Sequence, residues 1–383
     1  MIVYNKNETL SRADQKKVEK CRQIEYNIVN KSRRNTMVIT CKIKLSPRER
    51  LLYEGKQGKT KANMMKRLTL IADNSDAVEF AEPESKCFLS LHSGYVLSAY
   101  DELLNALAAE DTTLPDLTVE PTIKYQKVKL PLFSGGTYKK MFVPSDGVDA
   151  ALSALGVMNR CDKKTFASEL TKEECMDKVF AWCDPTLAVY ANSVLGARSH
   201  KGSDMTALCQ TVLGLVPVSG AVNVDNRKPT VAVKLSFSKL PNGVLLGAAV
   251  AKLTKGNVPV ILGLDKLIAE SDDEKRFDYL FDFSSGYAEE CDVPLFHAPS
   301  VTAEIERYDI SALGDCATEV TDDDLNEYLN ELNVGKGGMK KNFPSVATFA
   351  PICSLPSAKK TNVLTDDLSI ARSGGAVFKV KGE

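Results

Sequence analysis

The sequence predicts an α/β fold, with a largely parallel sheet flanked by helices. Three neighbouring segments carry this prediction. Residues 230–237 and 258–262 have the composition of buried strands, and residues 245–252 between them have helical periodicity. Strands that alternate with helices pair in parallel, because each helix returns the chain to the end of the sheet where the previous strand began.

The composition supports a large folded unit. The chain has 383 residues, of which 44% are hydrophobic and 26% are charged, which is enough apolar material for a substantial core. This composition excludes a disordered tail, a collagen-like chain and a small disulfide scaffold. The longest uncharged apolar run, residues 244–251, is much shorter than the roughly 20 residues of a membrane-spanning helix. We therefore expect no membrane span, and no secretion because no apolar signal-peptide core is present.

The first predicted helix begins at a capping box. Ser46 is the N-cap, Pro47 fits the first turn, and Glu49 is placed to reach back to the backbone of Ser46. A second helix is predicted over residues 60–73, because its apolar residues fall on one face. These residues are Met64, Met65, Leu68 and Ile71.

Further elements follow in order. The sequence predicts strands at 87–91 and 128–133, helices through 100–107, 148–155, 175–183 and 204–213, a loop at 110–121, and an apolar segment at 186–194. The clearest helix of the second half covers 321–332: Thr321 caps it, and three aspartates complement its positive end. Residues 335–341 then predict a flexible turn rather than an anion-binding nest, because the Walker spacing is absent.

Charge divides the chain unevenly. The net charge is −1, but residues 1–45 hold eleven Lys and Arg against four acids, so this stretch is near +7 and the remainder near −8. We therefore predict a basic extension over residues 1–44 and one α/β domain over 45–383, with an internal lobe boundary near residue 240. The extension is either a solvated segment or a docking site for an acidic partner, RNA or an anionic membrane.

The cysteines and histidines exclude several kinds of site. Ten cysteines are spread along the chain without a C-x-x-C pair, which predicts reduced thiols in the cytoplasm. The mitochondrial matrix is the alternative, although the acids at 14, 19 and 25 are atypical of a transit peptide. The three histidines lack metal-finger spacing, so a zinc finger is excluded.

One segment, residues 189–227, concentrates groups suited to an anionic ligand. Exposed amides, hydroxyls and two arginines stand there beside glycines, and arginine binds a carboxylate or phosphate through a two-pronged contact. The residues are Asn192, Ser193, Arg198, Ser199, His200, Asn223, Asn226 and Arg227. The alternative interpretation is that the Asn-Ser and Asn-Arg pairs close turns and cap helices.

The same segment resembles a known family. Ala-Asn-Ser-Val-Leu-Gly-Ala-Arg-Ser, residues 191–199, is similar to the signature of the large, catalytic subunit of the aconitase X family. The resemblance spans about residues 45–358. It includes the opening helices at 45–65, the approach to the signature at 179–190, Asn226-Arg227-Lys228, residues 245–259, Leu295-Phe296-His297 and Val301-Thr302-Ala303-Glu304.

The resemblance implies an aconitase-like α/β fold and a hydro-lyase. Such enzymes dehydrate small hydroxy acids, for example phosphomevalonate or cis-3-hydroxyproline, with an iron or iron–sulfur centre and a second, smaller subunit. On this basis Ser193 and His297 are the expected catalytic residues, and the alternative for His297 is a structural histidine satisfied within the fold. The expected substrate-binding residues, for a hydroxy acid or phosphate, are Asn192, Arg198, Ser199, Asn226, Arg227 and Thr302. For Thr302, capping of the next helix is the alternative.

The metal side departs from the family pattern. Cys161 is the best match to the first ligand cysteine, in the setting Arg160-Cys161-Asp162. Ala350 replaces a second ligand cysteine, Ile352 stands where the family has histidine, and Cys353 is out of register. A shifted ligand set with Cys175, Cys183 or Cys353 is one alternative. Another is a catalytically inactive paralogue without a cofactor, which serves as a binding or assembly component.

Overall fold

Three small sheets organise the part of the chain that the structure, a computed structural model, describes: residues 43–90, 97–120 and 146–334. The strands are β1 (Phe80–Ala81), β2 (Cys87–Leu89), β3 (Leu117–Val119), β4 (Asn159–Arg160), β5 (Val216–Pro217), β6 (Val231–Leu235), β7 (Pro259–Leu262) and β8 (Thr318–Val320). β1 and β5 form an antiparallel pair. The other two sheets are parallel, with orders β2-β3-β4 and β7-β6-β8. The predicted α/β fold with parallel sheets flanked by helices is confirmed.

Thirteen α-helices surround these sheets in the described residues. They are α1 (Pro47–Tyr53), α2 (Lys59–Asn74), α3 (Leu97–Ala109), α4 (Asp146–Ala154), α5 (Lys163–Ser168), α6 (Lys172–Cys175), α7 (Pro185–Tyr190), α8 (Asp204–Leu213), α9 (Gly243–Leu253), α10 (Leu264–Leu267), α11 (Asp273–Glu290), α12 (Ser311–Gly314) and α13 (Asp322–Val334). A π-helical turn, Ala191–Leu195, directly follows α7. No helix within 43–90, 97–120 or 146–334 is long and apolar enough to cross a membrane.

The local signals at the start of the fold act as predicted. The Ser46 hydroxyl accepts the N–H of Glu49, and the Glu49 carboxylate accepts the N–H of Ser46 at 2.7 Å, so the capping box of α1 is confirmed. In α2, Met64, Met65 and Leu68 are buried in one apolar cluster with helices α3 and α4. The predicted stripe therefore faces the core.

Two predicted elements are wrong. The loop predicted at 110–121 contains β3, which lies between β2 and β4 in the sheet. The helix predicted at 175–183 ends at its first residue, because Asp177 adopts a left-handed conformation with φ 64°. The chain is then extended, and Phe180 N–H donates to the carbonyl of Arg198 at 3.0 Å. The elements predicted at 128–133 and 335–341 lie outside the described residues.

The longest helix, α11, is missing from the prediction. Ser284, Ser285 and Gly286 are typical of a turn, yet they lie inside this helix. The reason is the contact with α9: a Cβ at position 286 would overlap the carbonyl oxygen of Val244. Glycine is therefore used for close backbone approach between two packed helices, not for a turn.

Candidate functional site

The 191–199 segment is a buried turn of unusual geometry. Asp184 caps α7 by accepting the N–H of Leu187 at 2.9 Å, and the helix widens into the π turn before Gly196 ends it at φ 73°. Glycine suits this position because L side chains rarely adopt that φ, and a Cβ there would also press on the Met176 side chain and on the Cβ of Ala303. π-helical turns are rare and frequently occur at functional sites.

Asn192 and Ser199 use their polar groups on the protein itself. The Asn192 amide donates to the carbonyls of Ser199 and Pro294 at 2.9 and 3.0 Å, and its oxygen accepts the N–H of Ser199 at 2.8 Å. The Ser199 hydroxyl donates to the carbonyl of Trp182 at 2.8 Å. Ser193 differs, because its oxygen accepts the N–H of Phe296 at 3.0 Å and its own proton remains to be donated.

Arg227 is fully buried and paired with Glu304. Its Nε donates to Glu304 Oε2 at 2.7 Å, and its Nη2 lies 2.6 Å from the same oxygen. Nη1 and Nη2 also donate to the carbonyls of Ala221 and Asn192, at 2.7 and 2.9 Å. The guanidinium therefore joins three segments of the chain and satisfies a carboxylate that is only 2% exposed.

His297 is a buried, neutral imidazole with one free nitrogen. Its backbone extends the sheet beside β7, and Nε2 lies 2.8 Å from the carbonyl of Arg227. A carbonyl only accepts, so Nε2 carries the proton and Nδ1 presents a lone pair, which has no partner among the described residues. Burial lowers the pKa of His297, which keeps the ring neutral near pH 7. The Tyr308 ring lies against it, with centroids 5.1 Å apart.

Thr302 and Asn226 occupy turns. The Thr302 hydroxyl accepts the N–H of Ala298 at 2.8 Å and donates to the Ala298 carbonyl at 3.1 Å, so it closes the turn before it, whereas the next helical turn, Ile305–Arg307, begins at Glu304. Asn226 is exposed, and its N–H donates to the carbonyl of Asn223 at 3.2 Å. Its side chain therefore stands at the surface, apart from the buried contacts of Arg227.

Arg198 is mostly buried, with 18% of its side chain exposed, and shares a carboxylate with a second arginine. Its Nη2 lies 2.7 Å from Asp177 Oδ1, and Arg307 binds both oxygens of the same carboxylate at 2.8 and 2.7 Å. Hydrogen bonds from Arg307 and Arg198 lower the pKa of Asp177 to about 2. Neither Asp177 nor Arg307 was among the residues predicted from sequence.

Cys161 lies at a different place, the carboxyl edge of the β2-β3-β4 sheet. Parallel registry places Ser90, Glu120 and Cys161 just after three adjacent strands, and the Ser90 hydroxyl donates to Glu120. Ligands of open α/β sheets bind at this edge. The sequence does not indicate Glu120 as a site residue, because residues 110–121 have the composition of a loop.

The surroundings of Cys161 do not fit an iron–sulfur cluster by themselves. Burial raises the pKa of its thiol, and the charges of Glu169, Asp162 and Glu120 raise it further, whereas cluster ligation requires thiolates. Within residues 43–90, 97–120 and 146–334, no three His, Cys, Asp or Glu side chains form a group that could hold a metal ion. Ala350 and Cys353 lie outside the described residues.

Comparison with known proteins places this site in context. Residues 42–224 match the model of the aconitase X first domain. Over 129 residues the chain is 32% identical to a cis-3-hydroxy-L-proline dehydratase of Hypocrea jecorina, covering 32% of this chain and 21% of that protein. Over 197 residues it is 25% identical to a phosphomevalonate dehydratase large subunit of Methanocaldococcus jannaschii, covering 47% of this chain and 44% of that subunit.

Two longer matches cover most of the chain. A phosphomevalonate dehydratase large subunit of Methanothermobacter thermautotrophicus is 25% identical over 295 residues, which are 76% of this chain and 70% of that subunit. The crystal structure of Thermococcus kodakaraensis aconitase X in its holo-form superposes with a TM-score of 0.58 and 18% identity, covering 76% of this chain and 70% of that one. The structural match supports the fold.

Proposed function

This chain is a divergent relative of the aconitase X family, and from that premise we propose that it acts as the large subunit of a hydro-lyase. The proposed reaction is the dehydration of a small hydroxy acid. The observation that carries the proposal is the neutral His297, whose buried Nδ1 lone pair has no partner among the described residues and whose ring lies against Tyr308.

Each predicted site residue has a role in this proposal. A dehydration removes a proton from carbon and releases a hydroxyl group, so it needs a base and a proton donor. His297 Nδ1 is the proposed base, and the Ser193 hydroxyl, which still has its proton to donate, is the proposed donor. Arg198 holds the anionic group of the substrate. These groups are positioned by Asn192, Ser199, Thr302 and Arg227. Asn226 contacts the substrate from the surface.

Iron or an iron–sulfur cluster is the proposed cofactor of an active enzyme, with Cys161 as one ligand. Because the described residues do not supply a complete ligand set, we assign the proton chemistry to protein groups and no step to the metal. A small-subunit partner is proposed as well, because relatives of this chain are named as large subunits.

The positions that align with the family's iron ligands favour a second function. Ala350 and Ile352 stand where the family has cysteine and histidine, and neither side chain coordinates iron in the family's manner. In this alternative the chain is an inactive paralogue that retains the fold for binding or assembly, and the basic residues 1–44 dock an acidic partner.

Anaerobic purification and cluster reconstitution separate the two functions. For the hydro-lyase we expect near-stoichiometric iron, loss of iron in Cys161→Ala, and retention in Cys316→Ala, which removes an exposed thiol elsewhere. We also expect dehydration of cis-3-hydroxy-L-proline or phosphomevalonate, detected by mass spectrometry, when a small subunit is supplied. His297→Gln should abolish turnover while iron is retained.

The opposite result supports the paralogue. Absence of iron above background, together with no dehydration of either compound, would exclude the hydro-lyase. In that case Ala350→Cys should not improve metal retention, because the rest of the ligand set is missing too.

A further inference from the structure

Three arginines and two carboxylates form a continuous chain of contacts from the core to the surface. Its members are Arg227, Glu304, Arg307, Asp177 and Arg198, in order of contact. Arg227 and Glu304 are buried, whereas the side chains of Arg307 and Asp177 are each 42% exposed. Glu304 lies 2.6 Å from Arg227 and 3.3 Å from Arg307, and Asp177 lies 2.7 Å from both Arg307 and Arg198, so three arginines share two carboxylate charges.

The carboxylate of Asp177 satisfies this pair of arginines incompletely. Its Oδ1 accepts from Arg198 Nη2 at 2.7 Å and from Arg307 Nη1 at 2.8 Å, and its Oδ2 accepts from Arg307 Nη2 at 2.7 Å. Arg198 Nε is buried and has no acceptor among the described residues. A guanidinium normally binds an oxyanion through two parallel N–H groups. Two oxygens therefore serve three donors here, and a fourth is left over.

The backbone of Asp177 fixes the position of its carboxylate. Its φ of 64° lies in the left-handed region, where aspartate is found more often than most residues with side chains, as at Asp76 and Asp111 of this chain. Its N–H donates to the carbonyl of Gly196 at 2.9 Å, so the residue is anchored to the 191–199 segment. This anchor holds the carboxylate between the two arginines.

We propose that Arg198 and Arg307 form an oxyanion site that the carboxylate of Asp177 fills from within the chain. An external oxyanion binds there by displacing Asp177. The ligand that fits best is a phosphate group or a similar tetrahedral oxyanion. Three of its oxygens accept from all four N–H groups of the two arginines, and its two negative charges balance the positive charges of Arg198 and Arg307. Arg307 then determines specificity for the anionic group. The inference takes the position of Arg198 from the proposed function and is independent of catalysis.

Titration calorimetry with inorganic phosphate on the full chain, at constant ionic strength, tests this site. Asp177→Asn removes the competing charge, and asparagine also tolerates the left-handed backbone. We expect this variant to bind phosphate at least tenfold more tightly than the wild type. Asp278→Asn is the matched control, because Asp278 pairs with Lys164 at 2.9 Å and is 49% exposed. It should bind phosphate as the wild type does.

Two further measurements keep the test decisive. Acetate has two oxygens and should gain less than phosphate from Asp177→Asn, and an equal gain would overturn the preference for a tetrahedral ion. Should Asp177→Asn not fold, thermal unfolding of the wild type is compared with Arg307→Gln. Phosphate should raise the melting temperature of the wild type alone, and equal shifts in both would overturn the site.

Failure of this inference is distinguishable from failure of the proposed function. Tighter phosphate binding by Asp177→Asn in a protein that dehydrates neither compound supports the oxyanion site and refutes the hydro-lyase. Dehydration by the wild type, together with unchanged phosphate affinity in Asp177→Asn, supports the hydro-lyase and refutes the oxyanion site.

Discussion

Removal of the positive charge of Arg227 should lower the free energy of unfolding more than removal of the charge of any exposed arginine. In Arg227→Met, Glu304 loses two contacts of 2.7 and 2.6 Å while it remains 2% exposed. Loss of one partner of a buried ion pair typically costs about 3–5 kcal/mol. Arg307 still contacts Glu304 at 3.3 Å, so we expect about 3 kcal/mol, the lower end of that range.

Two comparison variants isolate the cause. Arg48→Met breaks a pair of equal length, 2.6 Å to Glu82, whose side chains are 55% and 77% exposed, and it should cost less than about 1 kcal/mol. The double variant Arg227→Met with Glu304→Leu removes the unpaired charge. It should cost only about 2 kcal/mol, because the carbonyls of Ala221 and Asn192 still lose their donor.

Urea unfolding followed by circular dichroism measures these differences. A loss below about 1 kcal/mol in Arg227→Met, comparable with a surface pair, would refute the reasoning. So would a double variant less stable than Arg227→Met, because the buried carboxylate would then not be the source of the cost.

Three further predictions concern stability. Gly286→Ala should lower the free energy of unfolding by at least about 1–3 kcal/mol, because its Cβ overlaps the Val244 carbonyl. Gly314→Ala is the control: the nearest atom to its Cβ is 3.8 Å away, so the change should stay within about 0.5 kcal/mol. Equal unfolding midpoints for the two variants would contradict this. The pKa of Asp177 is lowered to about 2, so its stabilising effect is complete above pH about 4 and is lost as the pH falls toward 2. Asp177→Asn should flatten this part of the curve of stability against pH. High salt should weaken the stabilising effect of Asp177 in the wild type. The pKa of His297 is lowered by burial, so the unfolded chain binds the proton at a higher pH than the folded chain does, and stability falls as the pH drops below about 6.5. His297→Gln should reduce the slope of stability against pH in this range. An unchanged slope would contradict the assignment.

Local patterns in the sequence were sufficient for several elements. The capping box of Ser46 and Glu49 acts between residues three apart, so its partners are visible in the sequence itself. The apolar period of α2 and the β6-α9-β7 alternation are of the same kind. The resemblance to aconitase X likewise rests on ordered local motifs.

Elements whose formation depends on distant partners were not predictable in this way. β3 is three residues long and exists because β2 and β4 lie on either side of it. Residues 177–180 have helix-compatible composition, but the bridge between Val179 and Arg198 makes them extended. The glycine inside α11 is explained by the carbonyl of Val244, 42 positions from Gly286 along the chain.

The candidate site shows the same division. The sequence by itself determined the α/β class and the membership of Asn192, Ser193, Arg198 and Arg227 in one polar segment. Only the tertiary structure decided which partner each group has, because burial and pairing depend on residues far apart in the chain. Glu304 lies 77 positions from Arg227, and Arg307 lies 130 positions from Asp177. An arginine identified from composition as a ligand for an anion can therefore be satisfied deep inside the fold, as Arg227 is, or paired with a partly exposed carboxylate of the same chain, as Arg198 is.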